Sequence, residues 1–321
     1  MKFESVLGSK TSWKVLGIIF GRPWDDFYFR SLVKESKSSP NIVNRTLKQL
    51  ESAGMLHSKK IGTTITYRIN SQSSTAHKML LLHHENRLQE LPKEFFVYIS
   101  KLRRKIGKNI LSVVLYGSVA KGTASEMSDI DIAVIHEGKI YRNKVENLFA
   151  RYPRYAQIMY FTPKEFDELY KKGSEFIRSL VKGGIIVHDK EFFSKYVFMP
   201  LPKPTKLYIE ELLEQAKNDI EHLWEIYRKN KLPVGGMLYP ALRRLSIALL
   251  LLNKQVPESK TDTINKLRQL GEKRFVFYLL KAKKSWDGHG EELNRKESES
   301  ILELSEKKLS ECFVKLEEYD G

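Results

Sequence analysis

A single cysteine, Cys312, excludes an intramolecular disulfide and any zinc site built from cysteine pairs. No apolar run approaches the roughly eighteen residues of a membrane-spanning helix. The longest, Leu245 to Leu252, is interrupted by Ser246. The first residues carry Glu4 and lack the apolar core of a signal peptide, so a cytoplasmic protein with no membrane partner is expected. Acidic residues are outnumbered: 39 Asp and Glu stand against 55 Lys and Arg, a net charge of +16. An excess of that size favours polyanionic partners through counterion release. It equally fits solvated, lysine-rich helix faces, and only a fold that localises the charge decides between them. With 41% hydrophobic and 29% charged residues the chain reads as folded rather than disordered. Its 321 residues suit two or three domains, and no repeat of fixed period is visible.

Residues 1–75 show three helical patterns and then an alternating stretch. Trp13, Leu16, Ile19 and Phe20 recur at helical spacing, as do Phe29, Leu32 and Val33. The third pattern opens with Ser39-Pro40, a capping residue before proline at the first helical position. It runs through Val43, Leu47 and Leu50 and stops before Gly54. Met55 to Lys60 and Thr64 to Asn70 read as strands joined at Ile61-Gly62-Thr63. Three helices and a hairpin in this order predict a winged helix. The stretch SPNIVNRTLKQLESAGMLHSKKIGTTITYRIN resembles the recognition helix and basic wing of archaeal and bacterial winged-helix regulators. That resemblance implies DNA binding, with the third helix in the major groove. Its polar face offers Asn41, Asn44, Arg45, Lys48 and Gln49, and Lys59, Lys60 and Arg68 on the hairpin are placed for flanking phosphates. The segment holds twelve Lys and Arg against five Asp and Glu. A module for protein contacts alone is the other reading. Such proteins often pair on symmetric sites, so a homodimer is the default expectation.

Residues 76–106 read as a helical bridge in two pieces broken near Pro92. His83 and His84 are adjacent and point about 100° apart on a helix, a poor chelate. A surface or interface role is expected for them instead.

A chemical motif follows. The apolar run Ile110 to Tyr116 leads into Gly117-Ser118, and ten residues later Asp129-Ile130-Asp131 opens a second apolar run to Ile135. Glycine permits a sharp turn and a close approach to phosphate. Ser118 with the amides after it can bind an anionic triphosphate at a helix start, and Lys121 adds positive charge. Asp129 and Asp131 at i and i+2 of a strand face the same way, an oxygen pair suited to Mg²⁺ carrying nucleotide phosphates. The whole string, YGSVAKGTASEMSDIDIAVI, resembles the signature of minimal and kanamycin-type nucleotidyltransferases of the polymerase β superfamily. Residues 156–161, the TPKEF helix start and Gly183-Gly184-Ile-Ile-Val-His188 extend the likeness over about residues 107–199. The resemblance implies a mixed sheet with helices, Mg²⁺ or Mn²⁺ held by Asp129 and Asp131, and a triphosphate such as ATP. It also implies a third carboxylate on the next strand, where this chain has Gln157. A neutral amide is neither an anionic ligand nor a general base. Glu165 or Asp167 could stand in only if their helix were displaced toward that strand. Arg151, Tyr152, Arg154, Tyr155 and Tyr160 form an aromatic-basic cluster, read as packing in preference to base stacking.

PLPKPT, residues 200–205, reads as a linker. Residues 200–321 predict a bundle of four or five helices: Leu207 to Lys229, Met237 to Leu252, two pieces split near Gly271, and Asn294 to Tyr319. Arg243-Arg244 reads as surface charge or as a phosphate contact. It lacks the following histidine of the helical ribonuclease partners of minimal nucleotidyltransferases, so ribonuclease activity is not expected. The fold class expected is therefore α+β and multidomain: winged helix, nucleotidyltransferase-like sheet, helical bundle. The function expected is a DNA-binding regulator with a nucleotidyltransferase domain that moves a nucleoside monophosphate to a hydroxyl. A catalytically degenerate nucleotide sensor and an antitoxin-like enzyme acting on a partner protein are the alternatives.

Overall fold

The computed structural model describes residues 10–104, 106–124, 128–140, 142–147, 156–230, 233–288 and 293–319. The chain divides into two compact units, Met1–Glu168 with Ile177–Leu201 and Leu169–Phe176 with Pro202–Gly321.

The first unit opens with α1 (Lys10–Gly21), β1 (Phe27–Tyr28), α2 (Phe29–Ser36) and α3 (Pro40–Ser52). The hairpin β2 (Leu56–Ile61) and β3 (Thr64–Ile69) follows. α3 shows why these helices bundle: Val43, Thr46, Leu47 and Leu50 are buried at helical spacing, while Asn41, Asn44, Arg45, Lys48 and Gln49 are exposed. Val15, Ile19 and Phe20 of α1 and Leu32 of α2 are buried as well. Pro40 starts α3 where no N–H is required. Ser39 occupies the capping position, but its backbone carbonyl, not its hydroxyl, takes the N–H groups of Ile42 and Val43. The two-residue β1 escapes any periodicity argument; it pairs antiparallel with β3 in a sheet ordered β1-β3-β2. The hairpin reverses at Gly62-Thr63, with Ile61 opposite Thr64 and Gly62 at a φ of 59°. Beyond Leu56 every residue of β2 is exposed.

α4 (Ser74–Gln89) and α5 (Lys93–Arg104) are the two bridging pieces, separated at Pro92. The expected surface role fails for His84, which is buried, its ring nitrogens without a hydrogen-bond partner among the described residues. Its neighbour His83 lies edge-on at 5.7 Å between ring centroids. α4 carries Leu80, His84 and Leu88 on one inward stripe, so the imidazole occupies a core position that the spacing alone offered to either face.

The second sheet contains β4 (Ile110–Tyr116), β5 (Ile130–His136), β6 (Ala156–Phe161) and β7 (Ile185–Asp189), in the order β6-β5-β4-β7. β5 runs parallel to β6 and antiparallel to β4, which is antiparallel to β7. The single turn α6 (Gly117–Ala120) follows β4, and α7 (Arg142–Glu146) follows β5. α8 (Pro163–Lys171) and α9 (Glu175–Gly183) link β6 to β7, with α10 (Phe193–Phe198) beyond. The central strands are buried on both faces through Val113–Leu115 and Ile132–Ile135, which accounts for their unbroken apolar runs.

In the second unit α11 (Lys206–Asn230) packs against α12 (Tyr239–Leu252) and α15 (Arg295–Glu317). α13 (Lys260–Gln269) and α14 (Lys273–Trp286) close on α12. Leu213, Ala216, Ile220, Leu245, Ala248 and Ile301 are among its fully buried core residues. Buried hydroxyls are satisfied locally, Ser246 by the carbonyl of Leu242 and Ser305 by that of Ile301. Cys312 lies in this core, where burial pushes its thiol up to about 12. No described helix is long and apolar enough to cross a membrane.

Candidate functional site

β4 delivers the chain to Gly117 opposite the start of β5, with Tyr116 in register with Asp131. Gly117 has a φ of 73°. A Cβ built on it would stand 1.8 Å from Asp131 Oδ2 and 2.8 Å from its Cγ. The glycine is therefore required twice: for its backbone conformation, and because the Asp131 carboxylate occupies the space a side chain would fill. The motif's glycine and its second aspartate are thus direct neighbours. Asp131 is half-buried in β5; Asp129 is exposed and stands one residue before the strand, which begins at Ile130. The buried Ile130 points inward, which leaves the Asp131 carboxylate on the other side.

α6 is one turn long, shorter than the motif promised, so its contribution comes from the unpaired first amides of a helix and little from an extended dipole. Ser118 is half-buried, and its carbonyl takes the N–H of Thr123, folding the motif back on itself. Lys121 follows the turn and is exposed; its stem crosses Gly183, where an added Cβ would approach Lys121 Cε to 3.3 Å. Ser125 to Met127 of the motif lie outside the described residues.

The third position is placed by sheet register. Gln157 of β6 is the partner of Asp131 across the parallel β5–β6 pair, and it is exposed. The two acidic residues weighed as substitutes are engaged elsewhere. Glu165 accepts hydrogen bonds from the Thr162 amide and hydroxyl, at 2.7 and 2.9 Å, which hold its carboxyl below the usual range. Asp167 accepts one from the Tyr196 hydroxyl. Both follow the far end of β6, roughly 13 Å of strand beyond Gln157 at about 3.3 Å per residue. Among the described residues no group of three or more His, Cys, Asp or Glu is gathered that could hold a metal.

One participant gave no sequence signal. Arg87, in the leucine-rich α4, donates from Nη1 to the carbonyl of Gly184 at 2.9 Å. From Nη2 it donates to Gly183 at 3.0 Å and to Ala120 at 3.2 Å. Nothing but the tertiary fold brings it to the end of the Gly117–Ala120 turn. Of the aromatic-basic cluster, Arg151, Tyr152, Arg154 and Tyr155 lie outside the described residues. Tyr160 packs against the sheet core with Arg142 4.8 Å above its ring. Burial, reinforced by the charge of Glu146, pushes the Tyr160 hydroxyl up to about 12.

The residues expected at DNA fall on the N-terminal module. Asn41, Asn44, Arg45, Lys48 and Gln49 line one shallow groove with Ser52 and Ala53. Lys59 and Lys60 are exposed on β2. Arg68 on β3 is ion-paired to Asp26 at 2.7 Å, an exposed pair whose small value leaves the guanidinium exchangeable. In the second unit Arg244 is bound to Asp219 and Gln215, so it is not a free phosphate contact. Arg243 stands 3.7 Å from Glu175 and lines, with Lys260, Arg268 and Lys283, a cavity of about 340 Å³.

Comparison with known proteins gives three findings. Residues 98–227 match the family model described as "Nucleotidyltransferase domain". A Methanocaldococcus jannaschii protein named "Putative protein adenylyltransferase" is 28% identical over 136 residues, 38% of this chain and 91% of that protein. The crystal structure of spectinomycin adenyltransferase AAD(9) from Enterococcus faecialis, with ATP and spectinomycin, superposes with a TM-score of 0.42 at 12% identity. That superposition covers 67% of this chain and 99% of the other.

Proposed function

We propose that this chain, which carries a nucleotidyltransferase domain over residues 98–227, is a DNA-binding regulator whose nucleotidyltransferase domain works on a triphosphate such as ATP. The domain moves the nucleoside monophosphate to a hydroxyl acceptor and releases pyrophosphate. The observation that carries the reading is the seating of the Asp131 carboxylate against Gly117, which joins the phosphate turn and the acidic strand in one site. Asp129 and Asp131 supply hard oxygen donors of the kind Mg²⁺ or Mn²⁺ takes, and since the described residues gather no third carboxylate beside them, phosphate and water oxygens would fill the rest of such a shell. A bound divalent ion would neutralise phosphate charge at the α-phosphorus as the leaving pyrophosphate departs. The chain's own residues do the positioning. Ser118 and the first amides of α6 face the phosphates, and Lys121 adds a cation. Gln157 orients by hydrogen bonding but does not take the acceptor's proton, so the proton leaves to solvent or to a base on the acceptor. The name of the Methanocaldococcus relative favours a protein as acceptor.

The N-terminal module supports DNA binding as a winged helix. α3 presents five exposed polar or basic residues on one face, and the lysines of β2 stand on the projecting hairpin. Gln157 favours a second reading, a nucleotide-sensing regulator that binds without transferring.

The test is incubation of the full chain with α-labelled triphosphates and Mg²⁺ or Mn²⁺, alongside the Asp129→Asn, Asp131→Asn double variant. Label that appears in wild type and vanishes in the variant supports the enzyme. Nucleotide-dependent stabilisation without label supports the sensor. Absence of both sinks the nucleotide reading, and absence of salt-dependent binding to duplex DNA sinks the regulator.

A further inference from the structure

Arg87 is a half-buried cation held by carbonyls. Its guanidinium is desolvated, which lowers its pKa, and its three hydrogen-bond acceptors among the described residues are all backbone oxygens. A planar fork with fixed donor directions suits such a set, and a lysine ammonium does not reproduce it. Two of the carbonyls, Gly183 and Gly184, lie where α9 gives way to β7; the third, Ala120, ends the α6 turn. Two of the three adjoin Lys121. Ala120 precedes Lys121, and Gly183 is the shelf on which the Lys121 stem lies. Gly184 is packed closely enough to exclude a side chain, since a Cβ there would meet the Leu180 carbonyl at 2.5 Å and Val114 at 2.6 Å. The arginine therefore ties the backbone beneath Lys121 and the surface beside it to one side chain.

That side chain belongs to α4, which begins directly after the hairpin with Ser73 capping the Ala76 amide. α4 packs against α1 of the N-terminal module and against β7 of the second sheet. A shift of α4 relative to the sheet changes together one hydrogen bond at the turn and two at the α9–β7 junction beside it.

We propose that Arg87 is a positioning residue through which α4 sets the Gly117–Lys121 turn, coupling the N-terminal module to nucleotide binding. This rests on the reading that the turn binds nucleotide phosphates. Occupation of the turn steadies the carbonyl that Arg87 holds, and α4 carries the restraint to α1. By reciprocity, whatever biases α4 from the module biases nucleotide affinity by the same factor.

The test uses the full chain with ATP and Mg²⁺, and the variants Arg87→Lys and Arg87→Ala. Two quantities are read: the Kd for ATP, and amide hydrogen exchange across α1, α4 and the turn with and without ATP. In wild type, ATP is expected to slow exchange at the turn and also in α4 and α1. Arg87→Lys is expected to bind ATP roughly tenfold more weakly, since charge-assisted bonds are lost with charge retained. Its ATP-dependent protection should stop at the turn. Arg87→Ala should behave likewise, and added guanidinium ion, at concentrations that leave the melting temperature unchanged, should restore part of the ATP affinity. A merely structural arginine would lower the melting temperature without that rescue. ATP affinity and protection in Arg87→Lys equal to wild type overturn the proposal alone. ATP binding that is indifferent to Asp129→Asn, Asp131→Asn overturns the nucleotide reading and this proposal with it.

Discussion

Two glycines five residues apart separate a backbone requirement from a site requirement. Gly117 and Gly122 both hold left-handed conformations, with φ of 73° and 68°. An added Cβ at Gly122 meets nothing within 4 Å, whereas at Gly117 it stands 1.8 Å from Asp131 Oδ2. Alanine at either position should cost roughly 1–2 kcal/mol for the left-handed backbone. Only Gly117→Ala also has to expel the carboxylate, by more than about 1.5 Å, to regain ordinary contact distances near 3.5 Å. Misplacement on that scale costs a site about 100-fold. ATP at 100 times its wild-type Kd stabilises by about 2.7 kcal/mol, and after a 100-fold loss of affinity the same concentration gives only about 0.4 kcal/mol. Thermal unfolding of the two variants with and without Mg²⁺-ATP reads both effects. Apo stability should fall in both variants, further in Gly117→Ala, while ATP stabilisation survives in Gly122→Ala and collapses in Gly117→Ala. Equal ATP responses in the two variants would refute the claim that Asp131 and the turn form one site.

Three further outcomes are expected. Gln157→Glu restores a carboxylate beside Asp131 and should raise label transfer by about 100-fold, the lower range of general-base contributions; an unchanged rate would show that this register position does not serve the acceptor proton. Lys59→Ala with Lys60→Ala should reduce the slope of log affinity for duplex DNA against log salt by about 2, near 0.9 per lost phosphate contact, as measured by fluorescence anisotropy. Burial, with the Arg87 charge adding to it, lowers His83 to about 4 and His84 well below its ordinary 6.5. The unfolded chain therefore binds more protons below pH 6.5, and stability present above that value should fall as pH drops from 6.5 toward 4. Urea titrations across that range should show the loss, and His84→Leu should flatten it; an unchanged acid limb would place the sensitivity elsewhere.

Local chemistry made much of this legible. α3 declared its buried face, because the apolar residues at 43, 47 and 50 recur at helical spacing, with Thr46 joining them. The strand–glycine–strand spacing located β4 and β5, and register then placed Gln157 beside Asp131. What stayed hidden depends on neighbours distant in sequence. Arg87 reads as ordinary helix charge until the Gly183-Gly184 carbonyls arrive from nearly a hundred residues away. The Arg68–Asp26 pair needs the β1–β3 contact, and a two-residue strand has no period to detect. His84 shows the limit within one element: a near-zero preference for either face along α4 lets the tertiary partner decide what is buried.

The second unit is assembled from two separate stretches of chain, and the shorter one is tightly built in. Lys172 pairs with Glu211 at 2.6 Å, its carbonyl receives the Thr205 amide, and Tyr208 takes the Glu175 amide on its hydroxyl oxygen. A Cβ on Gly173 would sit 2.1 Å from the Lys203 carbonyl. In genetic terms a single cut at residue 201 divides the bundle's unit instead of removing it whole. A fragment beginning at residue 202 would lack its own residues 169–176, and a recombinant ending at 201 would carry that segment stripped of the side chains that receive it. Moving the bundle whole therefore means moving residues 169–176 with it.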